Sequence, residues 1–178
     1  MNLFRTLTAI AMTGMITLSA ADLSKVTEAK RWTPAECKAE TVGNTLVVNM
    51  PVDHKAGELK YPVGWPRVYL YKLLPGETNW TNAKAISFDL KLEFTGKTAK
   101  YPISFHVFYK DAGKKRTPSV VTPIPALKNN TVNKVVIPLN KIKDLAAVCG
   151  IGFNISESQY KHGENLKFTV SNFKLINK

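Results

Sequence analysis

Strand alternation gathers a set of rings and hydrogen-bonding groups onto one parity of four segments. In 68–74, Val68 and Leu70 alternate with Tyr69 and Tyr71; in 85–94, Ile86, Phe88 and Leu90 alternate with Asp89 and Lys91. In 102–110, Phe105 and Val107 alternate with His106 and Phe108, and in 151–155 Asn154 falls opposite to the apolar members. Successive side chains of a strand point to opposite faces, so apolar residues turned to a core leave the others turned outward. If these strands share a sheet, Tyr69, Tyr71, Asp89, His106, Phe108 and Asn154 lie on one surface. Flat rings pack against the apolar C–H faces of pyranose sugars, and acceptors, amides and imidazoles orient the hydroxyls. The same rings under covering loops would be a second small core. Trp65, in Gly64-Trp65-Pro66-Arg67, is either a stacking platform beside this surface or a plug over the end of the fold. Arg67 and Arg116 are candidate readers of an acidic sugar, since guanidinium pairs bidentately with carboxylate or sulfate; each is equally readable as surface charge.

Other chemistries find less support. Glycoside hydrolysis needs two carboxylates at a set separation, and the thirteen acidic residues form no such cluster. His106, Tyr109 and Arg116 supply the residue types of a polysaccharide lyase, but His106 and Tyr109 have opposite strand parity. The three histidines, His54, His106 and His162, show no metal-ligand spacing. Neither a G-x-S-x-G elbow nor a phosphate-cradling glycine loop occurs. The sequence predicts no catalytic residue, metal or cofactor.

The elements that must position these residues read as β throughout. Cys37–Glu40 and Leu46–Met50 flank a turn at Gly43-Asn44, which predicts a hairpin. Segments 68–74, 85–94, 102–110, 119–127, 132–139, 148–156 and 166–176 supply the remaining strands. Pro123 and Pro125 assign 119–127 to a sheet edge or to a crossing between sheets. In 166–176, Leu166, Phe168 and Val170 share one parity and Phe173 and Leu175 the other, so a bulge near Ser171-Asn172 is expected to return all five to one face. Trp80 has the spacing of a core residue ahead of a strand; Trp32 has no assignable place. Segment 141–147 reads as a short turn. Eight or nine short strands without a helical pattern predict an all-β, two-sheet antiparallel β-sandwich, a jelly roll.

Residues 1–21 read as a secretory leader: Arg5, an apolar stretch over 7–18, and Ser19-Ala20-Ala21. Cleavage after Ala21 would leave one domain, 22–178, secreted or periplasmic, without a transmembrane segment. The net charge of +12 falls to +11 without Arg5. Outside the cytosol such an excess attracts anionic cell-surface polymers rather than nucleic acid, or else the scattered lysines are a solvated surface. Cys37 and Cys149 in an oxidising compartment suggest one disulfide, the alternative being two separate buried thiols.

Three stretches carry a resemblance. Trp80 precedes Ile86-Ser-Phe-Asp-Leu90; Asn133-Lys-Val-Val-Ile-Pro-Leu-Asn-Lys-Ile142 leads into a turn; and Ile151-Gly-Phe-Asn-Ile155 is followed by 166–175. Over roughly 35–176, the chain resembles the galactose-binding-like jelly roll used by carbohydrate-binding modules of bacterial glycoside hydrolases. The resemblance implies a non-catalytic glycan-binding sandwich. It departs from that pattern at Asn172, where the family often has Asp; the uncharged amide is the weaker hard-ion ligand, so calcium is not expected. A cell-envelope protein that docks a protein partner through the same face, and a small lyase, are the alternative readings.

Overall fold

The computed structural model describes residues 21–55, 65–94, 96, 99–115, 117–125 and 127–178. Among these, ten strands form two antiparallel five-stranded sheets. Sheet A has the order β1-β4-β9-β6-β7, formed by Thr33–Ala35 (β1), Arg67–Leu70 (β4), Val148–Asn154 (β9), Ile103–Tyr109 (β6) and Ser119–Ile124 (β7). Sheet B has the order β2-β3-β10-β5-β8, formed by Lys38–Val42 (β2), Thr45–Pro51 (β3), Asn165–Asn177 (β10), Ala83–Glu93 (β5) and Val132–Pro138 (β8). The expected β-sandwich is the observed architecture. The leader expected over 1–21 lies outside the described residues except for Ala21. No helix among the described residues is long and apolar enough to cross a membrane.

The inward-facing phenylalanines lock the sheets together. Phe88, Phe168 and Phe173 come from sheet B, Phe105 and Phe153 from sheet A. Their rings interleave at centroid separations of 5.1 Å (Phe88–Phe105 and Phe105–Phe153), 5.2 Å (Phe88–Phe173) and 5.5 Å (Phe153–Phe168). Burying each such ring contributes about 1.5–3 kcal/mol. Trp80 is fully buried, as its spacing suggests, and donates from Nε1 to the Glu77 carbonyl at 2.7 Å.

The bulge falls where the pattern places it. Pairing between β10 and β5 shifts between Ser171 and Lys174, and Asn172 takes φ 55°. Asn tolerates this left-handed conformation better than most residues. Phe173 thereby returns to the core. The hairpin is also as expected, with Val42 opposite Thr45 across Gly43-Asn44 and Gly43 at φ 58°.

Three features lie below the reach of pattern reading. The three-residue strand β1 pairs with β4. Ahead of it, Trp32 drops into the core against Phe153, its ring 6.0 Å away and its Nε1 donating to the Val26 carbonyl at 2.7 Å. Beside it Arg31 forms a two-pronged ion pair with Glu77, at 2.7 and 2.6 Å. Glu77 also accepts from the Leu74 amide at 2.7 Å, so its buried carboxylate is held from two directions. The four edge strands are β1 and β7 in sheet A and β2 and β8 in sheet B.

Candidate functional site

Register across sheet A decides which of the candidate residues meet. Arg67 lies opposite Asn154, which lies opposite Ser104. One step along, Tyr69, Gly152, His106 and Val121 stand in a row. The next row brings Gly150 and Phe108 together, with the Tyr71 backbone closing on Gly150. Tyr69, Tyr71, His106, Phe108, Asn154 and Arg67 thus share the outer face of sheet A.

Asp89 does not join them. Its strand, β5, belongs to sheet B, so its outward direction is the opposite side of the molecule. There its carboxylate accepts from Asn172 Nδ2 at 2.7 Å, tying down the β10 bulge. Strand parity gives a side chain's face within its own sheet, not which sheet the strand joins.

The rings form one cluster. Tyr69 lies 5.0 Å from Phe108, 5.1 Å from His106 and 5.5 Å from Tyr71, mostly edge to face. Tyr71 is also 5.4 Å from Phe108. The glycines of β9 make this arrangement possible. A methyl group added at Gly152 would stand 2.2 Å from Tyr69 Cδ1, and one at Gly150 would stand 2.4 Å from the Leu70 carbonyl oxygen. Their signal in the sequence is plain in hindsight: Gly150 and Gly152 share the parity of Asn154, leaving a bare strip down the centre of the face.

The cluster's members differ in exposure. Tyr69 is 6% exposed, His106 5% and Phe108 7%, whereas Tyr71 is 53% exposed. The outward rings are therefore neither all open nor all covered: Tyr69 and Phe108 are a buried buttress, and Tyr71 is the ring they present. Burial pushes the Tyr69 hydroxyl up to about 12, so it stays protonated. Burial also holds the His106 imidazole below its ordinary 6.5, partly offset by the hydrogen bond from its Nε2 to Asn154 Oδ1. The neutral ring donating from Nε2 leaves Nδ1 as a buried acceptor without a protein partner.

At the other end of β4, Trp65 is 50% exposed. Its backbone amide donates to Glu36 Oε2 at 2.7 Å, and the Arg67 guanidinium lies 5.1 Å from its ring centre. Arg67 Nη1 also donates to the Trp65 carbonyl at 3.1 Å. Trp65 therefore presents an open ring with Arg67 stacked on it. Nothing in the sequence marked Glu36 as its anchor.

The lyase grouping does not assemble among the described residues. Tyr109 packs against the core while His106 faces outward, and Arg116 lies outside the described residues. No group of three or more His, Cys, Asp or Glu side chains among the described residues is placed to hold a metal ion.

Cys37 and Cys149 are free thiols, so the expected disulfide is not present. Cys37 Sγ donates to the carbonyl of Arg67 at 3.1 Å, and Arg67 pairs with Asn154. Cys149 lies five residues back along β9 from Asn154, a distance of about 16 Å at the usual strand rise. A disulfide needs α-carbons within roughly 7 Å. Burial pushes both thiols above their ordinary value.

No protein-family model matches this chain, and no curated protein matches it. Solved structures do. A family 11 carbohydrate-binding module from Clostridium thermocellum, in complex with a beta-1,3-1,4-mixed-linked tetrasaccharide, superposes with a TM-score of 0.51 at 18% identity, over 83% of this chain and 89% of that one. A low affinity xylan binding module from Roseburia intestinalis gives 0.45 at 14% identity, over 83% and 92%. A family 29 carbohydrate-binding module gives 0.42 at 12%, over 80% and 74%. The likeness is one of fold: the chain has the β-sandwich of the family 11 module.

Proposed function

We propose that this protein binds carbohydrate on the outer face of sheet A without catalysing a reaction on it. The observation that carries this reading is Tyr71, an aromatic ring half open to solvent yet braced by two buried rings. A ring already fixed loses little freedom when a sugar stacks on it, so most of the stacking energy is kept. Trp65 offers a second open ring on the same side, and Asn154 and Arg67 supply polar groups between the two, with the buried His106 holding the Asn154 amide. The module of like fold that was solved with a mixed-linked tetrasaccharide supports a sugar ligand. Single-site affinity is weak, as for any shallow site competing with water. The net charge of +12 favours acidic glycans, and the leader-like residues 1–21 favour an exported protein.

The test is a glycan array probed at low and high salt, followed by titration of the best ligand. Selective binding that survives moderate salt is expected, with Tyr71→Ala lowering affinity about tenfold, the equivalent of ~1.4 kcal/mol of stacking. The Tyr71→Ala melting temperature should stay close to that of the parent, because half of the ring is already in water. Failure to bind any glycan at either salt overturns the proposal. Salt-labile binding to polyanions alone would leave the rings without a role and overturn it equally.

A further inference from the structure

Charge is distributed unevenly between the two ends of the aromatic face. At the end where β4 and β6 finish and β9 begins, backbone hydrogen bonds hold three loops together: Leu73 donates to the Cys149 carbonyl and Lys110 to the Ala147 carbonyl, both at 2.8 Å. These loops carry Lys72, Lys110, Lys114, Lys115, Lys141 and Lys143, all exposed. Among the described residues, none of the six lysines makes an ion pair. The acids on these loops are Glu77, neutralised by Arg31, and Asp111 and Asp144, each with a carboxylate oxygen turned to a local backbone amide, that of Gly113 and of Ala146. The described charges at this end therefore sum to +4. Among the described residues at the far end, Lys55, Arg67, Lys100 and Lys161 are balanced by Glu36, Asp53, Glu157 and Glu164.

Resting on the glycan-binding reading, we infer that the lysine-rich end is the anion-reading part of that surface. Its partner is a linear polysaccharide bearing carboxylate or sulfate groups, seated with its acidic groups beyond Tyr71 and Phe108. Lys72 directly follows Tyr71, and Lys110 is the second residue after Phe108. At the strand rise, that places these lysine backbones about 3–7 Å beyond the rings. An anionic group on a sugar stacked at Tyr71 then falls within the ~8 Å Debye length of physiological salt. Arg67 lies four residues from Tyr71, about 13 Å along the chain. Over that distance screening removes most of its pull, and its own surroundings are neutral. The preference for acidic chains that the net charge favours is thus concentrated at one end of the face.

The experiment compares two triple variants of the full chain with equal loss of charge. Lys72→Gln, Lys110→Gln and Lys115→Gln alter the lysine-rich end; Lys38→Gln, Lys134→Gln and Lys174→Gln alter exposed positions in the strands of sheet B. Binding to polygalacturonate, dextran sulfate and a neutral mixed-linked glucan is measured by affinity electrophoresis at low and high salt. The first triple should weaken low-salt retention by at least about tenfold on the acidic polymer that the end reads, leave the neutral glucan unchanged, and melt like the parent. The second triple should retain acidic binding. Whether polygalacturonate or dextran sulfate shows the larger loss separates carboxylate from sulfate. Equal losses from both triples, or no loss from the first, overturn the inference while leaving glycan binding intact. If the unsubstituted chain binds neither acidic polymer, this inference fails; if it also binds no glycan on the array, the functional reading fails with it.

Discussion

Gly152→Ala adds one methyl group to the centre of the aromatic face, and its cost can be worked from the geometry. Unless the ring moves, the new Cβ sits 2.2 Å from Tyr69 Cδ1 and 2.9 Å from Cε1. Carbon atoms rest at about 3.5–4.0 Å, so the ring must retreat by more than about 1 Å. It is confined by Phe108, His106 and Tyr71 at centroid distances of 5.0–5.5 Å. Overpacking of this kind costs about 1–3 kcal/mol, which lowers the melting temperature of a domain this size by roughly 2–12 °C. Glycan affinity should fall as well, because the ring that moves is the one bracing Tyr71. The decisive assay is a double-mutant cycle by thermal and denaturant unfolding. In a Tyr69→Ala background the clash is gone, so Gly152→Ala should become nearly neutral, giving a coupling energy of about 1–3 kcal/mol. Equal costs in both backgrounds would refute the claim that the Tyr69 ring lies on the bare strip of β9.

Two further outcomes follow from buried ionisable groups. Because burial lowers the proton affinity of His106, the unfolded chain takes up that proton first as pH falls. The contribution of His106 is complete above about pH 6.5, its ordinary value, and is lost progressively below it. Melting curves from pH 8 to about pH 5 should therefore decline less steeply for His106→Gln than for the parent; parallel declines would dismiss the histidine as the cause. Arg31→Met leaves the carboxylate of Glu77, 2% exposed, without its cation, and should cost about 3–5 kcal/mol. A loss under about 1 kcal/mol on urea unfolding would show that the pair is not a structural tie.

Legibility followed the range of the interactions concerned. The β10 bulge was readable because Phe168, Val170 and Phe173 cannot all reach the core without it, and the hairpin because Gly43 relieves a left-handed turn. Both are settled within a few residues of sequence. Asp89 was misplaced because membership of a sheet is a long-range fact: nothing within 85–94 distinguishes β5, beside β10, from a neighbour of β6. The cysteine pair failed for the same reason, since an even count in a chain with a leader-like start says nothing of the length of β9 between them. Strand β1, Trp32 and the Arg31–Glu77 pair were invisible to periodicity because three residues make no period and an ion pair 46 residues apart leaves no local mark.

The edge strands bear on how copies of the protein would pack beside one another. A polysaccharide with repeated sites would gather many copies side by side, and open strand edges then invite chain-to-chain pairing. Here Pro34 interrupts β1, Pro123 interrupts β7 and Pro138 closes β8, each removing an amide donor, while β2 carries the exposed charges of Lys38 and Glu40. If the protein binds a polymer as proposed, copies crowded on it are expected to lie as neighbours without knitting their sheets together.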